Sequence, residues 1–237
     1  MTEIEVTHCD KCNTELEEGQ TGVCDDCREY TFAELSETAK DKARDNIRYT
    51  EHYLDYEWWD STCEDAARIA TILGLDVEDT IFDSKFTTSH TRINISFSGF
   101  SSQGDGACFE GRYTFNPKSV KEIKAYCNDE ELIRIATELH AMQITERLMG
   151  REYFGAKITT SGRYSHSHTM SCEMTSEDSS DERQPEETDE GQFAQLMRDF
   201  AGWIYSTLED EHDHLMSDEV VDGQFTDEKF DESGSII

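Results

Sequence analysis

Residues 92–115 read RINISFSGFSSQGDGACFEGRYTF, and this stretch decides the fold class. Ile93, Ile95 and Phe97 alternate with polar residues on one side of the glycine-bearing SSQGDG, and Ala107, Phe109, Gly111, Tyr113 and Phe115 alternate on the other. A period of two sets each group on one face of a strand, and the glycines between allow the chain to reverse, so a hairpin is predicted. Val77 to Phe82 predicts an earlier strand. Tyr153 to Thr160 and Ser165 to Met174, around Ser161-Gly162, predict a second hairpin.

On either side the period changes to that of a helix. Leu35, Ala39, Ala43 and Ile47 recur at helical spacing behind Thr31 and Ser36, either of which can cap them. Cys63, Ala66, Ala67, Ala70 and Leu73 follow, stopped by Gly74. Pro117 opens a helix with Val120, Ile123 and Cys127; Leu132, Ile135, Ala136, Leu139 and Met142 form the next, ended by Gly150. Phe193, Leu196, Met197, Phe200, Trp203, Ile204 and Leu208 make the strongest stripe in the chain. The sum is an α+β fold: an antiparallel sheet of about four strands, built from two hairpins and packed by helices.

Ahead of this core the four cysteines Cys9, Cys12, Cys24 and Cys27 are spaced C-x2-C-x11-C-x2-C. Two thiolates two residues apart reach one metal, and two such pairs close a tetrahedral shell, so the segment predicts a zinc knuckle around one structural Zn2+. A catalytic zinc needs an open position that four cysteines do not leave. The organisation expected is therefore a zinc knuckle over 1–30, an α+β core over 31–176, an acidic linker over 177–190, an amphipathic helix over 191–215 packed on the core, and an acidic, partly ordered tail over 216–237.

With 21 basic and 53 acidic residues the net charge is −32. Salt adaptation of a halophilic host, mimicry of nucleic-acid charge and a plain solvated tail each account for it. All three disfavour direct binding to DNA or RNA, because long-range repulsion opposes encounter. No run of ~18 apolar residues exists to span a membrane, and MTEIEVTHCDKC shows neither the basic region nor the apolar core of a signal peptide, so a cytoplasmic protein is expected. In a reducing compartment its cysteines are ligands and buried thiols.

Three further groups admit a functional and a plain reading. Gln103, Gly104, Asp105 and Gly106 are either a ligand loop, with Asp105 as acid, base or cation ligand, or a turn in which Asp105 bonds its own backbone. His166 and His168, two apart on the expected strand, are weaker metal candidates, with Cys172 on the same parity; a solvated sheet face explains them too. Tyr53, Tyr56, Trp58 and Trp59 form a binding platform or a corner of the core. Cys63, Cys108 and Cys127 fall singly on apolar faces, as structural thiols do.

At Tyr30-Thr31-Phe32 and Ala39–Arg44 (AKDKAR), Asp55–Asp60 (DYEWWD) and Ser98–Gly111 (SGFSSQGDGACFEG), and again at Leu208–Glu211 and Leu215–Glu219, the chain resembles an uncharacterised family of phage and prophage proteins. Some members carry the label "antitoxin of toxin-antitoxin stability system". The resemblance implies a viral or mobile-element origin and a shared role for the QGDG loop, and carries no catalytic residue with it. The function expected is an interaction protein that binds and modulates a host or toxin protein through an acidic surface. Alternatives are an enzyme with Asp105 beside His166 or His168, and a zinc-knuckle module associated with nucleic acid.

Overall fold

The computed structural model describes residues 8–16, 22–24, 27–50, 53–54, 57–83, 88–150, 152–176 and 187–237. Two units divide them: one holds residues 59–211, the other residues 1–58 together with 212–237. The expected α+β class holds, with helices and a four-stranded antiparallel sheet.

In the larger unit, helix α2 (Asp60–Leu73) buries Cys63, Ala66, Ala67, Ile69, Ala70 and Leu73. Gly74 stops it in the left-handed region at φ 91°, and a Cβ there would overlap the Thr114 carbonyl. Gly74 therefore ends the helix and seats the next strand against its neighbour: Thr114 N–H donates to the Gly74 carbonyl at 2.8 Å.

Three stretches of strand then meet at one junction. Each is interrupted by a single residue: β1 (Leu75–Asp76) and β2 (Glu78–Asp83) flank Val77, β3 (Thr88–Ile93) and β4 (Ile95–Phe97) flank Asn94, β5 (Ala107–Phe109) and β6 (Gly111–Tyr113) flank Glu110. At each interruption the stretch changes partner, so β2 pairs with β3, β4 with β5 and β6 with β1. Asn94 N–H donates to the Val77 carbonyl at 2.8 Å, and Glu110 N–H to the Asn94 carbonyl at 3.0 Å, which occupies backbone groups the ladders leave over. The predicted hairpin around SSQGDG is present as β4 and β5, paired from Ile95↔Phe109 to Phe97↔Ala107, in a ladder of its own. The second predicted hairpin is β7 (Phe154–Thr160) with β8 (Met170–Ser176), and the order of the four-stranded sheet is β1-β6-β7-β8.

Helices α3 (Ser119–Tyr126), α4 (Glu130–Leu148) and α5 (Glu187–Leu215) follow the predicted stripes. The Asp129 carboxylate caps α4 through Leu132 N–H at 2.9 Å and accepts from Trp203 Nε1 of α5 at 3.0 Å, so one side chain ends one helix and ties it to another. Phe193 and Phe200 of α5 are fully buried: Phe193 meets Tyr113 and Phe154, and Phe200 meets Phe109. Gln143 is also fully buried, donating to the Phe154 carbonyl at 2.7 Å and accepting from its N–H at 3.0 Å. Burial pushes Tyr113 up to about 12, offset in part by a hydrogen bond with Gln143.

The smaller unit packs α1 (Glu37–Arg48), capped by Ser36, with α6 (Asp218–Asp222) and the residues after it. Leu35, Ala39, Ala43, Val221, Phe225 and Phe230 form its core, and Arg44 grips Asp222 with two hydrogen bonds of 2.7 and 2.8 Å.

Three expectations need correction. Residues 216–237, expected as a loosely ordered acidic tail, carry Val221, Phe225 and Phe230 into a core; three anchors spaced among carboxylates leave no stripe for a sequence reading to find. Helix α5 starts at Glu187, inside the expected linker, whose residues 177–186 lie outside the described residues. Ser165–His168 are not strand: His166 Nδ1 accepts from His168 N–H at 3.1 Å, capping a 3₁₀ turn at Ser167–Thr169, and β8 begins only at Met170. Side-chain bonds to local backbone outcompeted the alternation there.

Candidate metal centre and the QGDG loop

The first cysteine pair sits on a tight turn in which Cys9 N–H donates to the Thr14 carbonyl at 2.8 Å and Asn13 N–H to the Cys9 carbonyl at 2.9 Å. Asn13 takes the left-handed conformation, φ 61°, that such a reversal demands and that asparagine tolerates. Asp10 N–H donates to the Gly22 carbonyl at 2.7 Å, drawing in the stretch that carries the second pair. As a result the sulfurs of Cys9, Cys12, Cys24 and Cys27 lie within 4.8 Å of one another, with Cys12 and Cys24 3.6 Å apart. A tetrahedron with metal–sulfur bonds of about 2.3 Å has edges near 3.8 Å, so the donor set fits one ion.

The electrostatics of the four thiols agree with that fit. Backbone N–H groups of Cys24, Cys12 and Lys11 push Cys9 down to about 6, against the effect of burial. Cys27 is pushed up to about 12 by the thiols of Cys12 and Cys24. Cys9 and Cys12 thus ionise readily while Cys24 and Cys27 resist, a conflict that a divalent cation removes. Four cysteines that could hold a metal ion are thus in place. His8 is not among the group; its backbone pairs with that of Glu15.

In the QGDG loop, Asp105 Oδ2 accepts from Ser101 N–H at 3.0 Å and Ser102 N–H at 2.6 Å. Gly104 supplies φ 102°, and Ser98 Oγ accepts from Gly106 N–H at 3.0 Å. Gly106 is buried against the ring of His166, and a Cβ on it would lie 2.9 Å from His166 Cδ2. The structure therefore brings Gly106 to His166, while the Asp105 carboxylate is engaged with its own loop. Gln103 and Gly104 are exposed.

His166 and His168 stack, ring centres 5.1 Å apart, with His166 Nδ1 already accepting a hydrogen bond. Among the described residues no third ligand joins them. Cys172 is buried on β8 opposite Ile158. Burial pushes Cys63 and Cys172 up to about 11 and raises Cys108, the reverse of what a nucleophilic thiol needs.

Of the aromatic group, Trp59 packs edge-on to Phe97, which stacks on Phe100, which in turn meets Tyr205. Tyr53 donates to the Leu215 carbonyl at 2.7 Å and Tyr56 lies outside the described residues. The sequence reading missed a polar groove of about 390 Å³ at the strand junction, lined by Asp76, Glu78, Asp79, Asn94, Glu110, Arg112 and Lys157 among others. Its residues come from the three interrupted stretches and from β7, and the changes of partner help bring them together.

Fold and cluster together define an α+β protein that carries a metal-capable group of four cysteines outside its sheet. The chain belongs to the family described as a domain of unknown function (DUF8835), which matches residues 58–218. That match spans the larger unit and leaves the cysteine cluster outside it. Neither a curated protein nor a solved structure matches the chain. No helix among the described residues is long and apolar enough to cross a membrane.

Proposed function

We propose that the protein is an interaction protein of viral or mobile-element type, which binds a basic host or toxin protein through its acidic surface and uses one zinc ion as a structural staple. The observation that carries this reading is the net charge of −32. Such a field speeds encounter with a cationic partner and weakens with salt. It equally repels phosphate backbones, and several cations that might offset it are taken: Arg44 by Asp222, Arg48 by Asp218, and Arg134 by Glu131, Glu138 and Asp199.

Two further features support binding over catalysis. Four thiolates fill a tetrahedral shell, so zinc held by Cys9, Cys12, Cys24 and Cys27 would have no position for a substrate. Against the enzyme reading weighs Asp105, whose Oδ2 accepts from two backbone N–H groups of its own loop. The host cytoplasm is the compartment proposed, where reduced thiols hold zinc.

The test is affinity capture from host lysate with stepwise salt elution. A basic protein retained at low salt and released toward ~0.5 M is expected. Recovery of no stable partner at any salt concentration would remove the proposal.

A further inference from the structure

The groove at the strand junction, about 390 Å³, is lined by charges of both signs that do not meet. Its cations come from the four-stranded sheet: the register sets Arg112 of β6 directly opposite Lys157 of β7, and both are exposed. Its carboxylates come mainly from the chain where it leaves that sheet: Asp76 ends β1, and Glu78 and Asp79 open β2 beyond Val77. Like charges directly opposite each other on paired strands are destabilising. In a chain of 53 acidic and 21 basic residues, two cations side by side with no carboxylate against them call for a cause.

Three of the groove's four carboxylates are engaged close to home. Asp79 accepts from Asn94 Nδ2 at 2.7 Å and stands 3.9 Å from Arg92. Glu110 accepts from the Thr160 hydroxyl and N–H, and Asp76 from the Glu78 N–H at 3.4 Å. The side chains of Arg112, Lys157 and Glu78 have no partner among the described residues, and no carboxylate comes within 4.0 Å of either cation. Opposite charges that share a groove without closing on each other leave room for a ligand with complementary charges at its two ends.

We propose that this groove binds a small zwitterion, a phosphate monoester that carries an amine, with its phosphate between Arg112 and Lys157 and its ammonium toward Glu78. Two adjacent cations match the phosphate's charge of about −1.5 to −2 near neutral pH, and the arginine fork suits its oxygens. A nucleic-acid backbone is excluded, because its further phosphates would meet Asp76, Glu78 and Glu110. A single phosphate in contact with two cations is governed by them, since exposed carboxylates farther off are screened over ~10 Å at 0.1 M salt. This is a function separate from contact with a basic protein.

The probe is phosphoethanolamine, added to the full chain at fixed pH and ionic strength. Ethyl phosphate lacks its amine, ethanolamine lacks its phosphate, and β-alanine carries a carboxylate in the phosphate's place. Titration followed by backbone NMR of unmutated protein is expected to show saturable shifts at 110–112 and 157–159, with phosphoethanolamine bound about tenfold or more tighter than each of the others. Arg112→Gln/Lys157→Gln should lose about tenfold or more in affinity, while Lys118→Gln/Lys121→Gln, two cations at the start of α3, changes nothing. Glu78→Gln should shrink the preference for phosphoethanolamine over ethyl phosphate. Without ligand, Arg112→Gln/Lys157→Gln should melt no lower than wild type, since it removes a like-charge pair and breaks no contact.

Shifts that never saturate, or an affinity that Arg112→Gln/Lys157→Gln leaves unchanged, would overturn the proposal. So would equal binding of ethyl phosphate, which would mean that no amine is recognised, or of β-alanine, which would mean that the cations do not select a phosphate. A clear fall in melting temperature for the ligand-free double variant would show that Arg112 and Lys157 serve the fold, and would remove them from any ligand site.

Discussion

The absent side chain at Gly111 lets two strands approach where β6 leaves the junction. A Cβ there would overlap the Asp76 carbonyl, and backbone on both sides has nowhere to yield. Gly111→Ala is expected to lower stability by about 3 kcal/mol, read from the denaturant midpoint. Gly104→Ala is the contrast: nothing lies within 4 Å of its would-be Cβ, and only the left-handed φ of 102° opposes it, so a loss of about 1 kcal/mol is expected. A cost at Gly104 as large as at Gly111 would refute the account. The neighbouring Glu110 tests the junction by pH. The Thr160 hydroxyl at 2.6 Å and its N–H at 3.0 Å hold the Glu110 carboxyl below the ordinary value. A carboxyl so depressed contributes in full above an unfolded value of ~4.3 and loses its contribution as pH falls through the folded value. Wild type should therefore exceed Glu110→Gln in stability most above ~pH 5, with the gap closing toward pH 3; a gap independent of pH would count against the interaction. In the sequence both residues read as ordinary members of an alternating strand. Alternation reports which face a side chain takes and nothing about how closely another backbone comes.

Among the elements, those with unbroken periodicity were legible. The stripes of α2, α4 and α5 and the glycine stop after Leu73 predict helices that the structure contains. The cysteine cluster was legible for a different reason, since ligand spacing is a local constraint that needs no knowledge of the rest of the chain. What escaped was non-local or sparse. The partner changes at Val77, Asn94 and Glu110 depend on three stretches at once, and β3, the partner of the expected strand at Val77–Phe82, begins at Thr88, ahead of the strand read from Arg92. Helix α6 and the residues after it offered Val221, Phe225 and Phe230 at no regular period. Their burial makes a specific prediction at this scale: deleting residues 216–237 should expose the face of α1 that carries Ala39 and Ala43, so hydrogen exchange over 37–48 accelerates while that over 60–73 is unchanged. Retained protection of α1 would mean that its core does not depend on that segment. Ser36→Ala, which removes the oxygen that accepts from Ala39 N–H, should cost the same helix about 1 kcal/mol.

For the molecule as a whole, the division into units separates what metal and salt should each affect. If the four cysteines hold the proposed zinc, a chelator, or Cys24→Ser, should bring the metal below half an equivalent and speed exchange around the cysteine turns at 9–14, with the helices of the larger unit unchanged. Unaltered exchange near Cys9 in fully metal-free protein would show that the four sulfurs do not depend on an ion for their place. Salt acts on all of the chain: with 53 acidic residues against 21 basic ones, screening relieves more repulsion than attraction, so the melting temperature should rise toward molar salt. A fall would mean that the ion pairs of Arg44, Arg48 and Arg134 outweigh the excess carboxylates.

The smaller unit is closed by contacts between residues far apart in the chain, Arg44 with Asp222 standing 178 positions from each other. A ribosome adding ~5–20 residues per second takes about 10 to 35 s to cover that distance. Through that interval α1 is already made, yet Val221, Phe225 and Phe230, which bury its apolar side, do not exist. The four cysteines precede α1 in the chain, and the whole of 59–211 is available to fold. The nascent chain must keep Leu35, Ala39 and Ala43 from straying contacts until Val221, Phe225 and Phe230 arrive to cover them.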